Sequence, residues 1–268
     1  DGRFRVAFPA GSKTGWIALS ARYAILAKPQ RWKKSDTAPV VLEDLSFTVE
    51  PGQSIALVGH TGAGKSTVVN LLCRHYDPAR GTVRLDGIDL RDRHPDDLRR
   101  NVVVVDQDVF LFAGTIRSNL TLGDPYEHDA VERAARLVGA HEFVSRLPGG
   151  YDEPVVEKGL TLSAGQRQLV GFARAVLRDP PILVLDEATS QLDTPTERLI
   201  QRAIETLIRG RTSLVIAHRL STIQRCDRIL VLEEGHLVES GTHPELLARR
   251  GSYRGLHDAQ FAHVRPGP

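Results

Sequence analysis

Three groups of residues have types and spacing suited to chemistry on a phosphate chain. The first, Gly59-His60-Thr61-Gly62-Ala63-Gly64-Lys65-Ser66, followed by Thr67, has P-loop spacing. Its glycines allow backbone dihedrals and close approaches that side chains would block, so amide N–H groups can ring phosphate oxygens. Lys65 would bring a mobile point charge to the β- and γ-phosphates, and the Ser66 hydroxyl could coordinate Mg2+. The second is an apolar run, Ile182–Leu185, that ends on Asp186 and Glu187. Asp186 suits a role near the metal, and Glu187, facing the other way, could orient and activate an attacking water. The third is Ser163-Ala164-Gly165-Gln166, which reads as a capping box in which Ser163 caps a helix and Gln166 completes it. A helix start with a hydroxyl and an adjacent glycine is also a place for an anion.

These groups need elements to hold them. Ser54–Val58 is a short apolar run of the kind buried in a parallel sheet, and it leads into the glycine loop. Beyond the loop, Val68, Leu71, Leu72 and Tyr76 share one helical face, and Pro78 is expected to stop that helix. Leu45, Phe47 and Val49 alternate with polar residues as in a half-buried strand, and Thr82–Leu90 reads as a hairpin turning at Asp86-Gly87. Val102–Val105, Leu214–Ala217 and Ile229–Leu232 are further strands. Thr194, Pro195 and Glu197 open a helix whose stripe includes Leu199, Ile200, Ala203, Ile204, Leu207 and Ile208, and Gly210 closes it. Between the strands, residues from about 125 to 178 follow a helical pattern. The fold class is therefore α/β, a mainly parallel sheet with a helical subdomain inserted at about 108–178. Residues 1–38 read as linker with one candidate strand, 39–256 as the folded domain, and 257–268 as a tail.

Composition excludes several classes. With 268 residues and 41% hydrophobic content the chain can bury a substantial core. Lys plus Arg is 35 and Asp plus Glu is 33, a formal balance of +2 that argues against a nucleic-acid-coating role. Cys73 and Cys226 are too few for a disulfide framework and are read as buried thiols. No apolar stretch is long enough to span a bilayer. With no methionine anywhere, the chain reads as a piece of a longer protein.

Taken together, the motifs resemble the nucleotide-binding domain of an ATP-binding cassette (ABC) transporter of the exporter type, over about residues 40–256. That family's signature is Leu-Ser-Gly-Gly-Gln, and Leu162-Ser163-Ala164-Gly165-Gln166 departs from it only at Ala164. The resemblance implies a P-loop NTPase, RecA-like core with an antiparallel β subdomain. It also implies that Ser163, Gly165 and Gln166 meet the γ-phosphate of ATP on a partner's P-loop, in a head-to-tail pair around two ATP. Gln107 matches a glutamine that contacts Mg2+ and senses the membrane domain. Ser190-Gln191-Leu192-Asp193 matches the loop that crosses to the other subunit, with Asp193 as its fixed point. His218 matches the histidine that bridges the γ-phosphate and the catalytic glutamate. Trp32 matches the aromatic that stacks on adenine, with Tyr23 the alternative. Val109–Phe112 with Gly114-Thr115-Ile116 resemble the exporter-type segment after that glutamine, and Val155 with Glu157-Lys158-Gly159 resemble the stretch that precedes the signature in exporters and touches the membrane domain.

The resemblance thus implies an ATPase using ATP and Mg2+, with Lys65, Glu187 and His218 catalytic and Ser66, Gln107 and Asp186 at the metal. Its partners would be a second ABC domain, identical or different, and a transmembrane domain fused on the N-terminal side. The domain would then work at the cytoplasmic face of a membrane, without nucleic acid. The alternative is a soluble ABC-type ATPase of repair or translation. Against it, a repair ATPase would insert a long coiled coil between Lys65 and Ser163, where only a compact helical block stands. The transported substrate is beyond what these residues specify.

Overall fold

The computed structural model describes residues 17–25, 40–187 and 194–261. Strands β1 (Ile17–Ile25) and β2 (Val40–Val49) come first, then β3 (Ser54–Val58), which leads through the glycine loop into α1 (Lys65–Leu72). β4 (Arg80–Leu85) and β5 (Ile88–Asp89) form the expected hairpin, and α2 (Pro95–Asn101) leads to β6 (Val102–Val105). The inserted block holds β7 (Gly114–Thr115), α3 (Ile116–Thr121), α4 (His128–Leu137), α5 (His141–Val144), β8 (Pro154–Val155) and α6 (Ala164–Arg178). The chain then re-enters the sheet with β9 (Ile182–Asp186), α7 (Thr194–Ile208), β10 (Thr212–Ile216), α8 (Leu220–Ile223) and β11 (Arg228–Glu233). It finishes with β12 (His236–Gly241), α9 (His243–Arg249) and α10 (Ser252–Phe261).

The central sheet has the order β12-β11-β3-β10-β9-β6, parallel throughout except for the β11–β12 pair. Its inner strands are apolar at nearly every position because both faces are covered, and successive side chains serve opposite faces. Ala56, Val58, Leu183, Leu185 and Val215 join a core shared with α6, α7 and the inserted block. Ile55, Leu57, Ile182, Val184, Leu214 and Ile216 join a second core with α1 and the antiparallel sheet. That second sheet has the order β2-β1-β4-β5. β1, from the stretch read as linker with one candidate strand, pairs on both sides, with β2 and β4. The inserted block is not purely helical, since β7 and β8 pair antiparallel within it.

Three sequence expectations meet a different structure. Helix α1 ends at Leu72 and not near Pro78, because Arg74 turns left-handed at φ 53° and the N–H groups of Cys73 and His75 close the end on Val69 O and Asn70 O. The Arg74 guanidinium is drawn off to Leu90 O at 2.7 Å, a long-range contact with no local sequence signal. Tyr76 thus lies outside the helix and packs against the second core. Cys226 is buried, but Cys73 is only half-buried; burial raises both thiols, to about 12 and about 11. The boundary drawn at 256 falls inside α10, which is anchored by buried Tyr253 and Leu256. The Tyr253 hydroxyl meets His243 Nδ1 at 2.6 Å, and its N–H donates to Glu239 Oε2 at 2.7 Å.

Candidate nucleotide-binding and hydrolytic site

The glycine loop leaves the carboxyl end of β3, in the middle of the parallel sheet, where open α/β sheets bind ligands. Two of its glycines are demanded by the fold itself. A Cβ on Gly59 would stand 2.2 Å from Leu232 O, and one on Gly64 would stand 2.5 Å from Leu42 Cδ2. Gly62 differs: at φ +86° it needs glycine for its backbone, yet nothing lies within 4 Å of the Cβ direction. The loop is therefore pinned at its ends and open at its crown, a cradle that fits a phosphate chain. The N-terminus of α1 carries no side-chain cap, so its first N–H groups face outward as donors. His60, Thr61 and Ser66 are exposed, while Ala63, Gly64 and Thr67 are buried.

Lys65 is only 8% exposed, and its ammonium donates to Gly59 O at 2.8 Å and His60 O at 3.0 Å. Burial lowers its pKa, and the charge of Asp186 opposes that shift. Phosphate oxygens entering the cradle would take over the ammonium from these two carbonyls. Asp186 ends β9, and burial raises its carboxyl above the usual range, helped by Asp106 and opposed by Lys65. Gln107 lies two residues beyond β6 and is exposed. Among the described residues no group of three or more His, Cys, Asp or Glu could hold a metal ion. Ser66, Gln107 and Asp186 are instead a sparse, all-oxygen donor set, which suits a hard cation bound mainly through phosphate and water.

Glu187 follows directly but is turned differently. Its side chain is 2% exposed and faces α7 and α8. Oε2 accepts the N–H groups of His218 and Arg219, each at 3.1 Å, and Oε1 accepts Thr222 Oγ1 at 2.8 Å and Gln201 Nε2 at 3.2 Å. Arg219 Nε stands 3.7 Å from Oε1. His218 sits just past β10, near both Lys65 and Glu187. Burial and then Lys65 lower its pKa, while Glu187 pushes the other way.

The signature segment is built separately. Ser163 caps α6 in a complete box: its Oγ accepts Gln166 N at 3.2 Å, and Gln166 Oε1 accepts Ser163 N at 2.9 Å. Ser163 is exposed and Gly165 buried. No hydrogen bond or ion pair among the described residues ties this helix start to the glycine loop. Lys65, Asp186, Glu187 and His218 are thus brought together, while among the described residues no such contact includes Ser163, Gly165 or Gln166.

Trp32, Asp193 and the Ser190–Leu192 stretch lie outside the described residues. Tyr23 is placed on β1 opposite Glu43 and Arg80, without a description of its side chain. Thr194 begins α7, and Glu197 is paired with Arg219 at 3.8 Å. Sequence reading missed Asp106, Gln201, Arg219 and Thr222. Asp106 follows the valine strand in the position that Asp186 holds at the end of β9, a signal that could have been used. Gln201 and Thr222 carry none, since a polar residue in a helix ordinarily reads as solvated.

A glycine loop at the end of a central parallel strand, with lysine and aspartate converging on it and a glutamate next in the chain, defines a nucleotide-binding domain with the P-loop NTPase fold. Comparison with known proteins gives the family. The profile described as ABC transporter matches residues 42–190. An ATP-dependent lipid A-core flippase of Burkholderia thailandensis is 54% identical over 220 residues, which are 82% of this chain and 37% of that protein. A probable multidrug resistance ABC transporter ATP-binding/permease protein of Bacillus subtilis is 49% identical over 82% of this chain and 33% of its own length. A solved bacterial Atm1-family ABC exporter with ATP bound is 40% identical with a TM-score of 0.82, over 93% of this chain and 42% of that one. The chain belongs to the ABC transporter family and is its ATP-binding ATPase domain. It spans well under half the length of these relatives.

Proposed function

We propose that this chain binds and hydrolyses ATP with Mg2+ as one member of a head-to-tail pair, and that hydrolysis drives export across a membrane from its cytoplasmic face. The observation that carries the reading is the split of the site. Lys65, Asp186, Glu187 and His218 meet at the carboxyl edge of one sheet, while no hydrogen bond or ion pair among the described residues joins the signature start of α6 to them. A second copy would bring Ser163 and Gly165 over the triphosphate held here.

The loop amides and Lys65 position the phosphates, and Ser66, Gln107 and Asp186 would hold Mg2+, which would offset phosphate charge. Glu187 takes a proton from the attacking water, and His218, neutral through burial, steadies the γ-phosphate through its ring N–H. Positioning and electrostatics supply most of the acceleration in such transfers. Trp32 remains our candidate for the adenine contact, and Asp193 for the crossing loop.

A membrane partner is supported by the surface that the insert exposes. Among the described residues, no helix is long and apolar enough to cross a membrane. Yet Phe110, Phe112, Val156 and Leu160 are exposed, Leu160 by 78%. The two stretches are joined where Lys158 N donates to Leu111 O at 2.9 Å. Arg174, from the signature helix, ties the first stretch to α3: its guanidinium donates to Phe110 O at 2.8 Å and Asn119 Oδ1 at 2.9 Å, and burial lowers it to about 10. A transmembrane domain on the N-terminal side, as part of a longer chain, would cover this patch. Relatives named for lipid A-core flipping and for multidrug resistance are similarly close, so we place cargo selection outside this domain. The relatives reported above are transporters, which favours this reading over a soluble repair or translation ATPase.

The test is the order of the reaction in protein. ATPase turnover of the chain should rise faster than linearly with protein concentration, and Glu187→Gln with ATP should scatter as a dimer. Linear turnover together with monomers in that variant would sink the paired site.

A further inference from the structure

The Glu187 carboxylate is held in a way that does not suit the work of a base. A carboxylate has about four acceptor positions. Here four donors occupy them: the N–H groups of His218 and Arg219, Thr222 Oγ1, and Gln201 Nε2. At 2% exposure the side chain is closed off from bulk solvent. A general base has to stand within hydrogen-bond reach of the proton it takes, directly or through one water.

We propose that Gln201 and Thr222 are positioning residues that hold Glu187 withdrawn, and that hydrolysis requires their release. The inference rests on the reading of Glu187 as the base. Both residues are oriented for the task. Gln201 Oε1 accepts from Ser221 Oγ at 3.1 Å and lies 3.4 Å from Thr222 Oγ1, so its amide nitrogen is left facing Glu187. Cys226 Sγ donates to Thr222 O at 3.4 Å and fixes the turn that carries the threonine.

The arrangement also carries a defect that favours exchange with another. Arg219 stands between Glu187 and Glu197 with Nη1 buried and, among the described residues, without a hydrogen-bond partner. A buried donor left unpaired is a standing free-energy penalty. A conformation in which Glu187 swings out and Arg219 re-pairs would remove it. Gln201 sits on α7, which packs against both α6 and α8. A shift of the signature helix therefore moves the residue that holds the base, so engagement of Ser163 and Gly165 by a partner's nucleotide would be felt at Glu187 of the same chain.

The experiment is steady-state ATPase over a range of ATP concentrations up to saturation with the 268-residue chain, comparing parent, Gln201→Leu, Thr222→Val and Thr222→Ser, each also in a Glu187→Asp background. Removing either hold should raise kcat by about tenfold, the equivalent of one charge-assisted hydrogen bond, with KM for ATP unchanged. Thr222→Ser, which keeps the hydroxyl, should rise less than Thr222→Val. In the Glu187→Asp background, where the shorter carboxylate does not reach Thr222, the rise should vanish. A fall in kcat in every folded variant of the pair Gln201→Leu and Thr222→Val would overturn the proposal, as would a rise that persists in the Glu187→Asp background. If Glu187→Gln turned over at the parent rate, the base assignment itself would fail, which is a separate outcome. Should one variant not fold, the other carries the test alone.

Discussion

Two helix starts in this molecule are suited to a phosphate, and they are finished in opposite ways. The start of α1 has Gly64 at its N-cap, no side-chain partner, and donors left open. The start of α6 closes on itself, with Ser163 and Gln166 each satisfying the other's backbone N–H. The glycine loop is wedged into the fold by Leu232 and Leu42, whereas the signature start stands at an exposed end of the inserted block. The difference shows which half of the nucleotide contact a single chain completes. The first start needs a ligand to satisfy it; the second is stable alone and gains a phosphate only as an addition.

The strongest way to break this comparison is at the open start. Lys65→Ala should weaken ATP binding by about 100-fold, read by calorimetry, because a buried cation in contact with phosphate is removed. Unchanged affinity would mean that the cradle is not the binding site. Glu187→Gln should leave ATP affinity near the parent value and lower turnover by about 100-fold or more. The capped start gives a finer contrast. Ser163→Ala should remove about 1 kcal/mol of stability through loss of the cap, a Tm drop of about 2 to 4 °C, and should also reduce turnover at saturating ATP. Thr115→Ala removes an equivalent box at α3, where Thr115 and Ser118 bond reciprocally at 2.8 and 3.0 Å. It should cost similar stability while ATPase stays at the parent level. Equal activity in the two variants would reduce the Ser163 box to a cap.

The smallest effect is a titration. Burial and the Lys65 charge depress His218, so its NMR midpoint should lie below 6.5. The sign follows from linkage: folding favours neutral His218, so its contribution is complete above the unfolded midpoint and is lost as pH falls through the folded one. Lys65→Ala should move that midpoint upward. A midpoint above 6.5 in the parent would remove the case for a neutral histidine at the γ-phosphate.

Much of this molecule is written locally. Ser54–Val58 reads as a buried strand because its residues are apolar after the opening serine and both faces are covered. Ser163 and Gln166 read as a capping box because the two partners lie three residues apart. The glycine loop is legible because its constraint is a backbone one, felt between near neighbours in the chain. The end of α1 was not legible, since Arg74 is held by Leu90 O far along the chain. The half-burial of Cys73 likewise depends on what packs around it.

Sequence by itself determined the main alternation of core strands with helices, the cradle, the acidic strand end and the capped signature start, because each rests on patterns among near neighbours. Tertiary structure alone decided where Glu187 faces. Its partners Gln201, His218, Arg219 and Thr222 lie 14 to 35 residues away in sequence, on elements that meet only when the sheet closes. A carboxylate's orientation is set by the donors that surround it, and those donors exist as a set only in the folded chain.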